Sequence, residues 1–209
     1  MDQMNEANEM RQEENIRTAA KWIMVLFWLS IASIVAGAFS GDAIADLVPL
    51  LTIFGNIAGL AVSAAYAVVL IKMDSVDRDY RRAAVYVIAG VLLSAIAMFL
   101  PDANGRLESA IWTLVPGILG LVLDLVSKYY EYGAHAGVLK GIDPVMSEKW
   151  RRLWRWTLEM TIGLIIGAVA SVLAPILGLL ILIVVVIGLL VVGVLRLVYL
   201  YQTARRLAG

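Results

Sequence analysis

From Met160 to Leu195 the chain runs for 36 residues without one charged side chain. A single helix of that length would measure about 54 Å at 1.5 Å per residue. That is far more than the ~30 Å hydrocarbon core that one crossing has to span. The run contains Ala174-Pro175. Proline removes a backbone donor and disfavours helix at the residue before it. The expected reading is therefore two apolar helices joined by a very tight turn, the alternative being one kinked and steeply tilted helix.

The rest of the chain fits this pattern. Of its 209 residues 61% are apolar and only 16% charged, against about 25% charged in ordinary soluble domains. The excess lies in long runs, which is how a bilayer-spanning chain is written. The expected class is an all-α integral membrane protein with six transmembrane helices. They cover roughly Trp22–Phe39, Leu47–Ile71, Ala83–Leu100, Leu107–Val126, Thr157–Leu173 and Ile176–Tyr201. Organisation follows: a polar tail over 1–21, helices one to four over 22–127, a long loop over 128–156, helices five and six over 157–201, and a short tail over 202–209. The tail reads either as a helix or as disorder. It lacks the basic start of a cleaved signal peptide, so the first apolar run is expected to be retained.

Charge sets the orientation. With the N-terminus inside, sixteen of the seventeen basic residues fall on the cytoplasmic side, only Arg106 lying outside. Such asymmetry predicts both termini in the cytoplasm, and an integral protein of a bacterial cytoplasmic membrane.

Three stretches, RTAAKWI at 17–23, RRAAVYV at 81–87 and RRLWRWT at 151–157, open the odd-numbered spans. Arg17, Arg81, Arg151, Arg152 and Arg155 are placed to meet lipid phosphate. Trp22, Tyr86, Trp150, Trp154 and Trp156 are placed at headgroup level. An offset of 64 pairs Arg17 with Arg81, Ala19-Ala20 with Ala83-Ala84 and Leu29-Ser30 with Leu93-Ser94. An offset of 134 pairs Arg17 with Arg151. The echo suggests three parallel helical hairpins, a plan that recurs in transporters.

Close helix packing is expected at small residues four apart, Gly55 with Gly59 and Gly163 with Gly167. Pro116-Gly117 is expected to free a carbonyl in the fourth span and allow a kink. Ionisable residues inside spans are functional candidates by default. Asp124, Glu159 and Arg196 form a candidate inner polar cluster, although pairing of Asp124 with Lys128 and Glu159 with Arg155 would explain them without function. Thr52, Asn56 and Thr113 form a candidate outer-half patch. Within the loop, VMSEKWRRLWRW at 145–156 reads as a basic amphipathic helix lying on anionic headgroups.

The chain has no cysteine, hence no disulfide or thiolate chemistry. No hydrolase, metalloprotease or nucleotide-binding signature is found. No enzyme activity, cofactor, metal site or nucleic-acid partner is expected; the expected partners are the bilayer, a second copy of the chain or another membrane protein. Three functions remain open. The first is a channel or transporter-type conduit. The second is a membrane scaffold or regulatory subunit acting through 128–156. The third comes from likeness: in its six spans and the Ala32/Ala36 pair the chain resembles the substrate-binding subunits of energy-coupling vitamin importers. That resemblance implies solute capture, covers no binding site, and is broken by the long inner loop.

Overall fold

The computed structural model describes residues 2–40, 48–97 and 107–208, with side chains described from Glu14 onward and, past the second gap, from Val115. Six long helices account for almost all of it: α1 Asp2–Phe39, α2 Pro49–Lys72, α3 Arg78–Ala97, α4 Leu107–Leu139, α5 Pro144–Leu173 and α6 Pro175–Ala208. A short 3-10 turn, Met73–Ser75, links α2 to α3. Among the described residues five of the six, α1, α2, α3, α5 and α6, are long and apolar enough to cross a membrane. Their outward faces are apolar too, with Phe54, Leu92, Val172, Val184 and Leu190 exposed, the pattern of a surface that meets lipid rather than water.

The charge-free run is two helices. α5 stops at Leu173, Ala174 takes an extended conformation at φ −144° and ψ 83°, and Pro175 starts α6. The missing proline N–H costs nothing there, because the first turn of a helix has no partner for it. The helices then fold back antiparallel. Gly167 approaches Ile181 and Leu182, Gly163 approaches Val185, and Gly188 takes the Met160 sulfur. Nearest the turn, Gly178 lies against the Ser171 backbone so tightly that a Cβ there would collide with it. Gly55 does the same work between α1 and α2, resting on the backbone of Ala36 and Phe39, whereas Gly59 has open space around it.

Two expectations about 1–21 and 128–156 resolve into helix. The polar tail is the first part of α1. The long loop is a helical hairpin: α4 continues through Pro116 and Lys128 to Leu139, a four-residue turn follows, and α5 begins at Pro144. The turn is held by Ile142 N–H and Asp143 N–H donating to the Leu139 carbonyl at 3.0 and 2.8 Å. Asp143 then caps α5, its carboxylate accepting from Met146 N–H at 3.0 Å, with Pro144 in the first helical position. An aspartate N-cap of this kind contributes about 1 kcal/mol. Arg206, near the end of α6, pairs with the same Asp143.

Each helix packs against its neighbours in the chain, and α6 closes back onto α1. The six helices thus form a ring. One end of that ring is filled. Ile23 and Leu26 of α1, Leu70 of α2, Tyr80 and Ala83 of α3, Tyr132 and Leu139 of α4, Met146 and Trp150 of α5 and Leu200 of α6 are all buried in one cluster. This packed layer lies at the basic end of the molecule.

Candidate functional site

One helical turn beyond the packed layer, on the side away from the basic end, the ring encloses a pocket of about 270 Å³. The register is the same on every helix that reaches it. On α1 Ser30 and Ser33 follow Ile23 and Leu26; on α2 Ser63 and Tyr66 precede Leu70; on α6 Gly193 and Arg196 precede Leu200. α4 contributes Asp124, Ser127, Lys128 and Glu131. Ile34, Val62, Leu197 and, from α3, Val87 complete the lining, so charged and hydroxyl groups project into a partly apolar pocket.

Three of those side chains form one network on the pocket floor. Arg196 Nη2 donates to Tyr66 Oη at 2.6 Å and to Glu131 Oε1 at 3.1 Å. Tyr66 Oη in turn donates to Glu131 Oε1 at 2.6 Å. The network ties α2, α4 and α6 together across the ring. Glu131 is 2% exposed and Arg196 22%, so neither charge is hydrated as it would be in water. Removing an ion from water costs several kcal/mol, and only a well-placed counter-charge with further hydrogen bonds offsets it. Tyr66 supplies the further bond. Arg196 Nε, by contrast, is buried with no acceptor among the described residues.

The network continues toward the basic end. His135, one turn after Glu131 and fully buried, holds its Nε2 3.7 Å from Glu131 Oε1, beyond hydrogen-bond range. Its Nδ1 lies 2.9 Å from the Tyr80 hydroxyl. With that hydroxyl donating, the imidazole proton is assigned to Nε2, facing the carboxylate. Burial holds this imidazole below its ordinary pKa against the opposing pull of Glu131. Trp150 lies tilted against the ring at 4.4 Å between centroids, and its indole N–H donates to Thr203 Oγ1 at 3.0 Å.

The expected inner cluster is therefore realised in part and regrouped. Asp124 and Arg196 both line the pocket. Glu159 does not; it is exposed on α5, a helix outside the pocket lining. Asp124 takes Lys128 as its partner at 2.5 Å, and Arg155 pairs with Glu148 at 3.1 Å rather than with Glu159. Thr52 and Asn56 lie further along α2, away from the lining, with Asn56 exposed. The side chain of Thr113 lies outside the described residues.

The interface residues divide. Arg17, Arg81, Arg151, Arg152, Arg155 and Trp156 are exposed, and Trp22, Tyr86 and Trp154 are half-buried. Tyr86 stacks on Tyr130. Trp150 departs from the expectation: it is 0% exposed. Within VMSEKWRRLWRW the stripe of Met146, Trp150 and Leu153 faces the helical core, because α4 runs alongside α5 and offers it an apolar partner. The expected interfacial helix is the first half of α5.

Glu131 is the residue that sequence reasoning missed. Ending the fourth span at Val126 left it in a loop. The available signal was spacing, since Ser127, Glu131 and His135 recur every four residues and so share one helix face.

No protein-family model, curated protein or solved structure matches this chain. The site stands on its geometry alone.

Proposed function

We propose that the protein is a transporter-type conduit of a bacterial cytoplasmic membrane, with six spans, both termini cytoplasmic, and its solute site in the pocket between α1, α2, α3, α4 and α6. The observation that carries this reading is the Arg196–Glu131–Tyr66 network. It lies inside a helical ring whose exterior is apolar. Ionised groups buried inside the helical bundle of a membrane protein are costly and mark solute or ion pathways. The packed layer beneath the network acts as the closed inner gate, and alternating access would require the network to break. A three-hairpin repeat fits the same scheme, supported by the like burial of Ala19, Ala83 and Leu153 at matching positions.

The chain has no cysteine, so the test is direct. A Ser63→Cys variant is reconstituted into liposomes and flux of a panel of small polar solutes is measured before and after a charged thiol reagent. Flux of at least one solute, blocked by the reagent in the variant and untouched in the parent chain, is the expected result. No flux of any solute argues against the reading.

A regulatory subunit acting through 128–156 is the second reading, favoured by Arg151, Arg152 and Arg155 standing exposed on one stretch of α5. A partner captured by the parent chain and lost on reversing those three charges would support it.

A further inference from the structure

The pocket carries both signs of charge, balanced. Asp124 and Glu131 face Lys128 and Arg196, and no other ionisable group of either sign lines it apart from Tyr66. A lone anion or cation would upset that balance, and beside the buried Arg196–Glu131 pair charge interactions are stronger than in bulk water. The donors and acceptors are sorted as well. Arg196 Nε is a buried donor without an acceptor among the described residues, and Lys128, whose ammonium pairs with Asp124, supplies the second cation of the lining. On the acceptor side, Asp124 Oδ2 takes the Lys128 ammonium at 2.5 Å, and with the side chain 61% exposed its other oxygen, Oδ1, is open to a ligand. Ser30 Oγ donates to the Leu26 carbonyl at 2.8 Å and Ser127 Oγ to the Ala83 carbonyl at 3.2 Å. Both hydroxyl oxygens are then left as acceptors.

We infer that the pocket binds a small zwitterionic group, its anionic end on Arg196 and Lys128 and its ammonium end on Asp124 and the serine oxygens. The inference rests on the conduit reading for its transport sense, but the binding stands independently of it. Size limits the occupant. A volume of about 270 Å³ lies just under the roughly 300–1,000 Å³ of ordinary ligand sites, so the group has few heavy atoms. A neutral polyol would fit the volume, yet would form only neutral-ligand hydrogen bonds, weaker than the charge-assisted pairs open to a zwitterion. Two sources share this chemistry: a free amino-acid-like solute and the headgroup of a phosphatidylethanolamine lipid.

The test uses the full chain purified in detergent, with calorimetric titration and native mass spectrometry. The probes are glycine, β-alanine and short-chain phosphatidylethanolamine, set against acetate, methylammonium and glycerol. Saturable binding of a zwitterion, weakened about tenfold by Asp124→Asn and by Lys128→Met, is the expected result. Binding of glycine or β-alanine identifies a free solute, and binding of the lipid alone identifies a headgroup; both uphold the inference. Asp124 is exposed and Lys128 half-buried, and a parent-like melting temperature verifies folding. The inference is overturned if acetate, methylammonium or glycerol binds as tightly, if both variants bind like the parent, or if nothing binds. Flux of a solute that is not zwitterionic would overturn it while leaving the conduit reading intact. Binding without flux would do the reverse.

Discussion

Arg196 on α6 and Glu131 on α4 are 65 residues apart in the chain and 3.1 Å apart in space. Their pairing crosses the ring rather than following its circumference. Most of the molecule's packing is between chain neighbours; this contact skips α5 and, with Tyr66 of α2 bonded to both groups, links helices that are not adjacent in the ring.

Breaking the pair from one side leaves a buried charge without a partner. Glu131→Gln or Arg196→Met is expected to destabilise the protein by about 3–5 kcal/mol. The double variant, which removes both charges, is expected to recover much of that loss. Thermal melting of the four proteins in one detergent gives the coupling directly. Additive single effects would mean that the two side chains do not act as a unit.

The α5–α6 turn offers a second test. A Cβ at Gly178 would meet the Ser171 backbone, which cannot swing aside as a side chain tip can. Gly178→Val is therefore expected to cost about 1–3 kcal/mol through overpacking. Gly59→Ala, in open space, is expected to be neutral or slightly stabilising, since alanine favours helix over glycine. Equal melting temperatures for the two variants would refute the close approach at Gly178.

How much of this was legible beforehand depended on which physical signal was at stake. The division at Ala174-Pro175 was readable because proline chemistry is local. The ring and its pocket were not, since which faces meet across a bundle depends on tertiary register. Trp150 shows the difference. Its basic neighbours Arg151 and Arg152 are exposed, yet on a helix they point away from Trp150. The tryptophan is then free to enter the core. Periodicity revealed the amphipathic stripe of α5 but not whether lipid or protein covered it. That needed the continuation of α4 to Leu139, which a span length matched to the bilayer had cut short at Val126.

Burial of Trp150 can be read optically. In single-tryptophan variants retaining only Trp150 or only Trp28, brominated lipids are expected to quench Trp28, which is exposed on α1, and to leave Trp150 largely bright. Trp150→Phe removes the donor to Thr203 and is expected to cost about 1 kcal/mol. Strong quenching of Trp150 would restore the headgroup placement.

His135 sets a pH dependence whose direction follows from its surroundings. It lies beyond Val126, in the part of α4 that extends past the expected span. Around it are Tyr80 and the more distant Asp77 near the start of α3, Glu131 and Tyr132 on α4, Trp150 on α5 and Arg196 on α6. Burial lowers its pKa in the folded protein, while the unfolded chain keeps an ordinary value near ~6.5. Below that value the unfolded state binds the proton more readily, so protonation pulls the equilibrium toward unfolding. The contribution is present in full above about pH 6.5, and is lost as pH falls toward the depressed folded value. Melting temperature is expected to fall between pH 7 and pH 5 in the parent chain. A His135→Gln variant keeps a hydrogen-bonding group beside Tyr80 without a titrating one, and its profile should be flatter over that interval. Parallel profiles for the two proteins would show that another group titrates there and that His135 remains neutral throughout.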